Sequence, residues 1–219
     1  MPDIPIGILA VILLSVLLYF EKIQNRRAAL PSKTALSCLF IIAVLVQPHS
    51  FPGYYYLLLI GLIFCLGGDV FLALPREKMF LFGLVSFLLG HIFYIIAFFY
   101  IAQINQWTWI GSVLCLFLSG GIYFWLRPHL GSMKIPVLSY VFVITVMVAG
   151  AWSVLGDGKL HLAGRLLVFI GGLSFYFSDV FVARDRFLKN DFINRLIGLP
   201  LYYFGQFLLA FSVSKIGPV

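Results

Sequence analysis

Apolar stretches near twenty residues long alternate with short polar breaks from one end of the chain to the other. That pattern predicts eight membrane helices, over residues 4–20, 33–47, 54–74, 79–101, 107–126, 135–155, 162–183 and 196–213. Most lie close to the ~20 residues that cross a hydrocarbon core. The breaks are short, so consecutive helices should pack antiparallel. The fold class is therefore all-α, a polytopic membrane bundle, with residues 1–219 forming one integral membrane domain. The first apolar run has no basic residue before it, which predicts a membrane helix and not a cleaved signal peptide.

Composition agrees. Of 219 residues, 62% are hydrophobic and 11% charged, and mean hydropathy is +1.06. A soluble domain needs more charge on its surface. The net charge of +7 sorts by loop and argues for no nucleic-acid partner. Lys22, Arg26, Arg27, Lys33, Arg76, Lys78, Arg127, Lys134, Arg184, Arg186, Lys189 and Arg195 fall in or beside loops 1–2, 3–4, 5–6 and 7–8. Only Lys159, Arg165 and Lys215 fall on the other side. The positive-inside rule then puts the first set in the cytoplasm and both termini outside. Cys38, Cys65 and Cys115 sit inside apolar runs, as small buried hydrophobes and not a disulfide framework. Trp107, Trp109 and Tyr54 to Tyr56 fall where an interfacial aromatic belt is expected.

One motif occurs twice. Ile60-Gly61 is followed after seven residues by Asp69-Val70-Phe71, and Ile170-Gly171 by Asp179-Val180-Phe181; Ala73 and Ala183 close the two copies. Leu36-Ser37 in the second helix similarly echoes Leu138-Ser139 in the sixth. The pattern predicts a 4+4 parallel internal repeat, with halves near 1–105 and 106–219, related by an axis along the membrane normal. A carboxylate inside a membrane helix is costly and marks a functional site by default. Asp69 and Asp179 lie at similar depth, a few residues from the cytoplasmic ends of their helices. They are expected to face one central cavity, and small neighbours (Gly67, Gly68, Ser178) allow close helix approach. The plain alternative is that each only bonds a neighbouring helix.

Other polar groups fall on the partner helices. His91 and Tyr94 share a face of helix 4, Tyr203 and Gln206 a face of helix 8; Tyr140 lies in helix 6 and Lys33 opens helix 2. Metal is a poor fit. His49, His129 and His161 lie in or near loops on different sides, and no H-x3-H or C-x2-C spacing occurs. No Gly-rich phosphate loop or G-x-S-x-G elbow is present. No cofactor is implied, and no oligomeric state is assigned.

Gly67-Gly68-Asp69-Val70-Phe71-Leu72, Phe82-Gly83-Leu84, Ser86-Phe87, His91 and Tyr94 resemble the lysoplasmalogenase (YhhN-like) family of membrane proteins. So do Pro136, Tyr140 and Met147 in helix 6, Ser178-Asp179 with Phe187, and Tyr202-Tyr203 with Gln206. The resemblance runs over most of the chain from helix 2 onward. One departure is Lys33-Thr34, where Lys-Pro is expected; the proline stands at Pro31. The resemblance implies an eight-helix hydrolase of lysophospholipids in the bilayer. It would cleave the vinyl ether of a lysoplasmalogen to a fatty aldehyde and glycerophosphoethanolamine or glycerophosphocholine. The setting would be a bacterial inner membrane, or the endoplasmic reticulum in a eukaryote.

The residue chemistry is compatible. Vinyl ethers hydrolyse by proton transfer to carbon, and water captures the resulting oxocarbenium ion. A proton donor and a negative charge beside the cation are needed. Two carboxylates in different protonation states supply both, as in glycoside hydrolysis. In this reading one of Asp69 and Asp179 is the acid, and the other stays ionised and steers water. His91 or Tyr94 relays protons, and Lys33 or loop arginines hold the phosphate. Lys33, Tyr140, Tyr203 and Gln206 make up the expected substrate contacts. The rival readings are a proton-coupled transporter of a small molecule or lipid using the same aspartates, and a non-catalytic lipid-binding or scaffolding protein.

Overall fold

The computed structural model describes residues 3–219, apart from the side chain of Glu77. Eight long helices run antiparallel in sequence: α1 (Asp3–Lys22), α2 (Arg26–Leu45), α3 (Pro52–Ala73), α4 (Glu77–Ile101), α5 (Gln106–Leu126), α6 (Lys134–Gly156), α7 (Leu162–Phe187) and α8 (Phe192–Lys215). All eight are long and apolar enough to cross a membrane. The fold is all-α among the described residues, as the hydropathy pattern predicts.

The helix ends differ from expectation at the basic loops. α2 starts at Arg26, seven residues before the expected 33, where Asn25 caps it by accepting from Ala28 N–H at 3.3 Å. Pro31 lies inside it. α7 runs four residues past Ala183, and α8 starts four before Leu196, capped by Asp191, which accepts from Ile193 N–H at 3.3 Å. Hydropathy reports where apolar surface ends. A capped helix continues past that point, because its polar side chains find partners, Arg184 on Asn194 at 3.1 Å and Asp185 on Arg195 at 3.1 Å, at no cost to the backbone ladder.

α3 packs along α4, and α7 along α8. Both crossings are made by a pair of glycines. A Cβ on Gly90 would lie 3.0 Å from the Gly61 carbonyl oxygen, and one on Gly205 would lie 2.7 Å from that of Gly171. Only glycine allows backbones this close. α4 also packs on α6 and α8 on α2, while α5 lies against α6 at the edge. From α5, Phe117 at 80% and Trp109 at 66% exposure face outward. Such apolar surface suits contact with lipid.

Candidate active site

At the end of the bundle that carries the basic loops, a cavity of about 680 Å³ opens between the helices. The ends of α1, α3, α5 and α7 and the starts of α2, α4, α6 and α8 line it. Both repeated aspartates reach it, and so do Lys33, Tyr140 and Tyr202. The shared pocket expected of the two acids is thus present.

The two acids are held differently. Asp69 is 1% exposed and fully engaged. Its Oδ1 lies 3.2 Å from the Lys33 ammonium, and its Oδ2 accepts from Ser37 Oγ and Tyr202 OH, each at 2.6 Å. A buried carboxylate of this kind needs its cation and its donors together. Asp179 is half-buried and accepts one hydrogen bond, from Tyr140 OH at 2.6 Å. Among the described residues no cation pairs with it.

The matched helix hairpins suggest where the difference arises. Counting from the crossing glycines, Phe87 in α4 stands where Tyr202 stands in α8. The two rings meet edge to face, 5.8 Å apart. Tyr202 carries the hydroxyl that binds Asp69, and Phe87 has none to offer.

Behind Tyr202 a chain of side chains leads away from the cavity. Tyr94 OH donates to Gln206 Oε1 at 2.8 Å, Gln206 Nε2 donates to Tyr202 OH at 3.2 Å, and Tyr202 donates to Asp69. Tyr203 OH lies 3.2 Å from Ser37 Oγ and donates to the Lys33 carbonyl at 3.3 Å. Tyr94, Tyr203 and Gln206 are therefore buried supports of Asp69, and none of them lines the cavity. His91 stands apart. It is fully buried against Phe175 and Tyr140, with ring centroids at 4.5 and 5.3 Å. Neither of its nitrogens has a hydrogen-bond partner among the described residues, so it bonds neither acid.

Ser37 and Tyr202 are the site residues that sequence reasoning left out, although both stand in the quoted patterns. Tyr202 lies four residues before Gln206, a spacing that shares a helix face as surely as the three of Tyr203. Lys33, which with the loop arginines was expected to hold phosphate, pairs with Asp69 at 3.2 Å. The cationic groups at the cavity mouth are Arg26, Arg76, Arg186, which lies 4.7 Å over the Phe80 ring, and Lys189, which pairs with Asp191 at 3.0 Å. Arg195, beside them, is tied to Asp185 at 3.1 Å and to Glu21 at 3.7 Å. Among the described residues no cluster of three His, Cys, Asp or Glu side chains is placed to bind a metal.

The pattern of the YhhN family matches residues 28–213. The chain belongs to the YhhN family. With its eight spans it is a multi-pass integral membrane protein. Among its relatives, Lysoplasmalogenase TMEM86A of Bos taurus is 30% identical over 161 residues, covering 71% of this chain and 64% of its own. Lysoplasmalogenase TMEM86B of Mus musculus is 30% identical over 181 residues, 81% of this chain and 71% of its own. The Lysoplasmalogenase of Mycobacterium tuberculosis is 28% identical over 142 residues, 62% of this chain and 51% of its own. The chain thus spans under two thirds of the bovine relative. No solved structure matches the chain.

Proposed function

We propose that this YhhN-family protein is a membrane hydrolase that cleaves the vinyl ether of lysoplasmalogens, releasing a fatty aldehyde and a glycerophospho-alcohol. The observation that carries the reading is the pair of aspartates lining one cavity in unequal settings. Relatives named lysoplasmalogenase support the substrate class.

The unequal settings support a division of roles. Asp69, paired with Lys33, is the fixed anion. Asp179, with one phenol and no cation, is the acid. It gives its proton to the alkenyl carbon β to the ether oxygen, so the double-bond electrons form the new C–H bond and the α-carbon becomes an oxocarbenium. Water adds to that carbon and returns a proton to Asp179, which now acts as base. The hemiacetal collapses, breaking the bond between its carbon and the glycerol oxygen. Overall, one water is consumed and no redox change occurs. Asp69 steers the water and offsets the cation. Tyr140 orients Asp179, and the chain from Tyr94 through Gln206 and Tyr202 holds Asp69 in place.

The test is turnover by purified protein in detergent, in heavy water, with the aldehyde trapped as it forms. The reading expects aldehyde without any membrane gradient, carrying one deuterium on the carbon next to the carbonyl. No aldehyde, together with solute uptake by the protein in vesicles, would favour the transporter. Aldehyde without that deuterium would rule out proton transfer to carbon.

A further inference from the structure

We propose that the arm of the cavity between α5, α6 and α7 holds the hydrocarbon chain of a single-chain phospholipid, leaving its phosphate at the basic mouth. This rests on the hydrolase reading and adds the orientation of the substrate. Inward of Tyr140 the cavity wall is apolar, built by Ile122 of α5 and by Val141 and Ile144 of α6. Hydroxyl groups close the arm. Ser119 Oγ lies 2.7 Å from Thr145 Oγ1 and 2.8 Å from Tyr176 OH, which ties three helices together. Thr145 Oγ1 lies 2.6 Å from the Val141 carbonyl oxygen as well. These hydroxyls satisfy one another, so the floor calls for no polar ligand.

The opposite end carries Arg26, Arg76 and Arg186, with Lys189 paired to Asp191 at 3.0 Å. Polarity along the cavity therefore runs from cationic mouth, through Asp179, to apolar arm. An amphiphile with a phosphate at one end, an ether beside its glycerol and an apolar tail has the same order. Turned around, its phosphate would lie against Val141 and Ile144 and lose its hydrogen-bond donors. A volume of about 680 Å³ falls inside the roughly 300–1,000 Å³ common for small-molecule sites.

The experiment measures kcat/KM for alkenyl glycerophosphocholines with chains of eight, twelve and sixteen carbons. In parallel, Kd is measured for the uncleavable alkyl-ether analogues of the same lengths. Ile144→Trp and the milder Ile122→Trp fill the arm, and Val113→Trp, on the 53% exposed outer face of α5, is the control. Each methylene driven out of an apolar site is worth about fourfold in binding. Both arm variants are expected to lower the sixteen-to-eight-carbon ratio at least tenfold, in turnover and in binding, while the control leaves it unchanged. If folded Ile122→Trp protein keeps the wild-type ratio, or the control shifts it equally, the proposal is overturned. If the wild type cleaves nothing yet binds the analogues with the expected length dependence, the hydrolase reading fails and the chain site stands.

Discussion

Lys33→Met tests whether a cation holds the Asp69 charge in place. The substitution removes the ammonium 3.2 Å from Asp69 Oδ1. The carboxylate stays buried, with only Ser37 and Tyr202 to support it. Breaking one side of a buried pair costs about 3–5 kcal/mol, because the remaining charge sits uncompensated out of water. The Lys33 side chain is 12% exposed and two hydroxyl donors remain, so the lower end of about 3 kcal/mol is expected. In a chain of this length that is a fall in Tm of roughly 6–12 °C. Thermal unfolding in detergent reads it, with a thiol-reactive dye reporting exposure of the buried Cys65 and Cys115. Lys33→Met/Asp69→Asn removes both charges and should recover most of the loss, to within about 1 kcal/mol of the wild type. Asp179→Asn disturbs one hydrogen bond and should cost only about 1 kcal/mol. Lys33→Met protein that melts with the wild type, or a double variant no more stable than the single, would refute the reasoning.

Four further substitutions separate the parts of the site and its scaffold. Tyr202→Phe removes a donor to a charged acceptor and should cost about 1.5–3 kcal/mol in the same unfolding assay, with a fall in kcat; unaltered stability would mean that the hydroxyl does not hold Asp69. Gly205→Ala drives a methyl to 2.7 Å from the Gly171 carbonyl and 3.1 Å from Phe175 N, and overpacking of this kind costs about 1–3 kcal/mol or more. Gly120→Ala meets nothing within 4 Å and should gain about 0.5–1 kcal/mol; equal effects at the two glycines would contradict the close crossing of α7 and α8. His91→Phe replaces a buried ring with unpartnered nitrogens by an apolar one, so stability should drop by no more than about 1.5 kcal/mol and turnover should persist. A total loss of turnover in folded His91→Phe protein would give His91 the proton-relay role that its surroundings argue against.

Hydropathy alone discloses the eight helices, because a bilayer permits only satisfied backbone and long apolar runs. The duplicated motif singles out Asp69 and Asp179 for the same reason: a membrane carboxylate has few structural excuses. The partners of Asp69 were harder to read. Ser37 and Tyr202 lie 32 and 133 residues away in sequence, on helices whose rotation depends on packing and leaves no trace in local periodicity. Lys33 was visible as a site residue, yet its role depends on a distance that only the fold supplies. His91 shows how far a residue type read alone can stand from its surroundings. A histidine in a membrane helix reads as chemistry, while its neighbours prove to be the rings of Phe175 and Tyr140. The helix ends at Arg26, Phe187 and Phe192 were hidden because capping sets them and hydropathy does not.

Everything about the proposed reaction depends on two carboxylates acting on one bound substrate. The direct measurement is the rate of aldehyde release from a lysoplasmalogen by folded Asp179→Asn and Asp69→Asn proteins, beside the wild type. Losing a positioned acid should slow the Asp179→Asn protein by about 10²–10⁴-fold, with Asp69→Asn also impaired. Wild-type rates in both folded variants would contradict it.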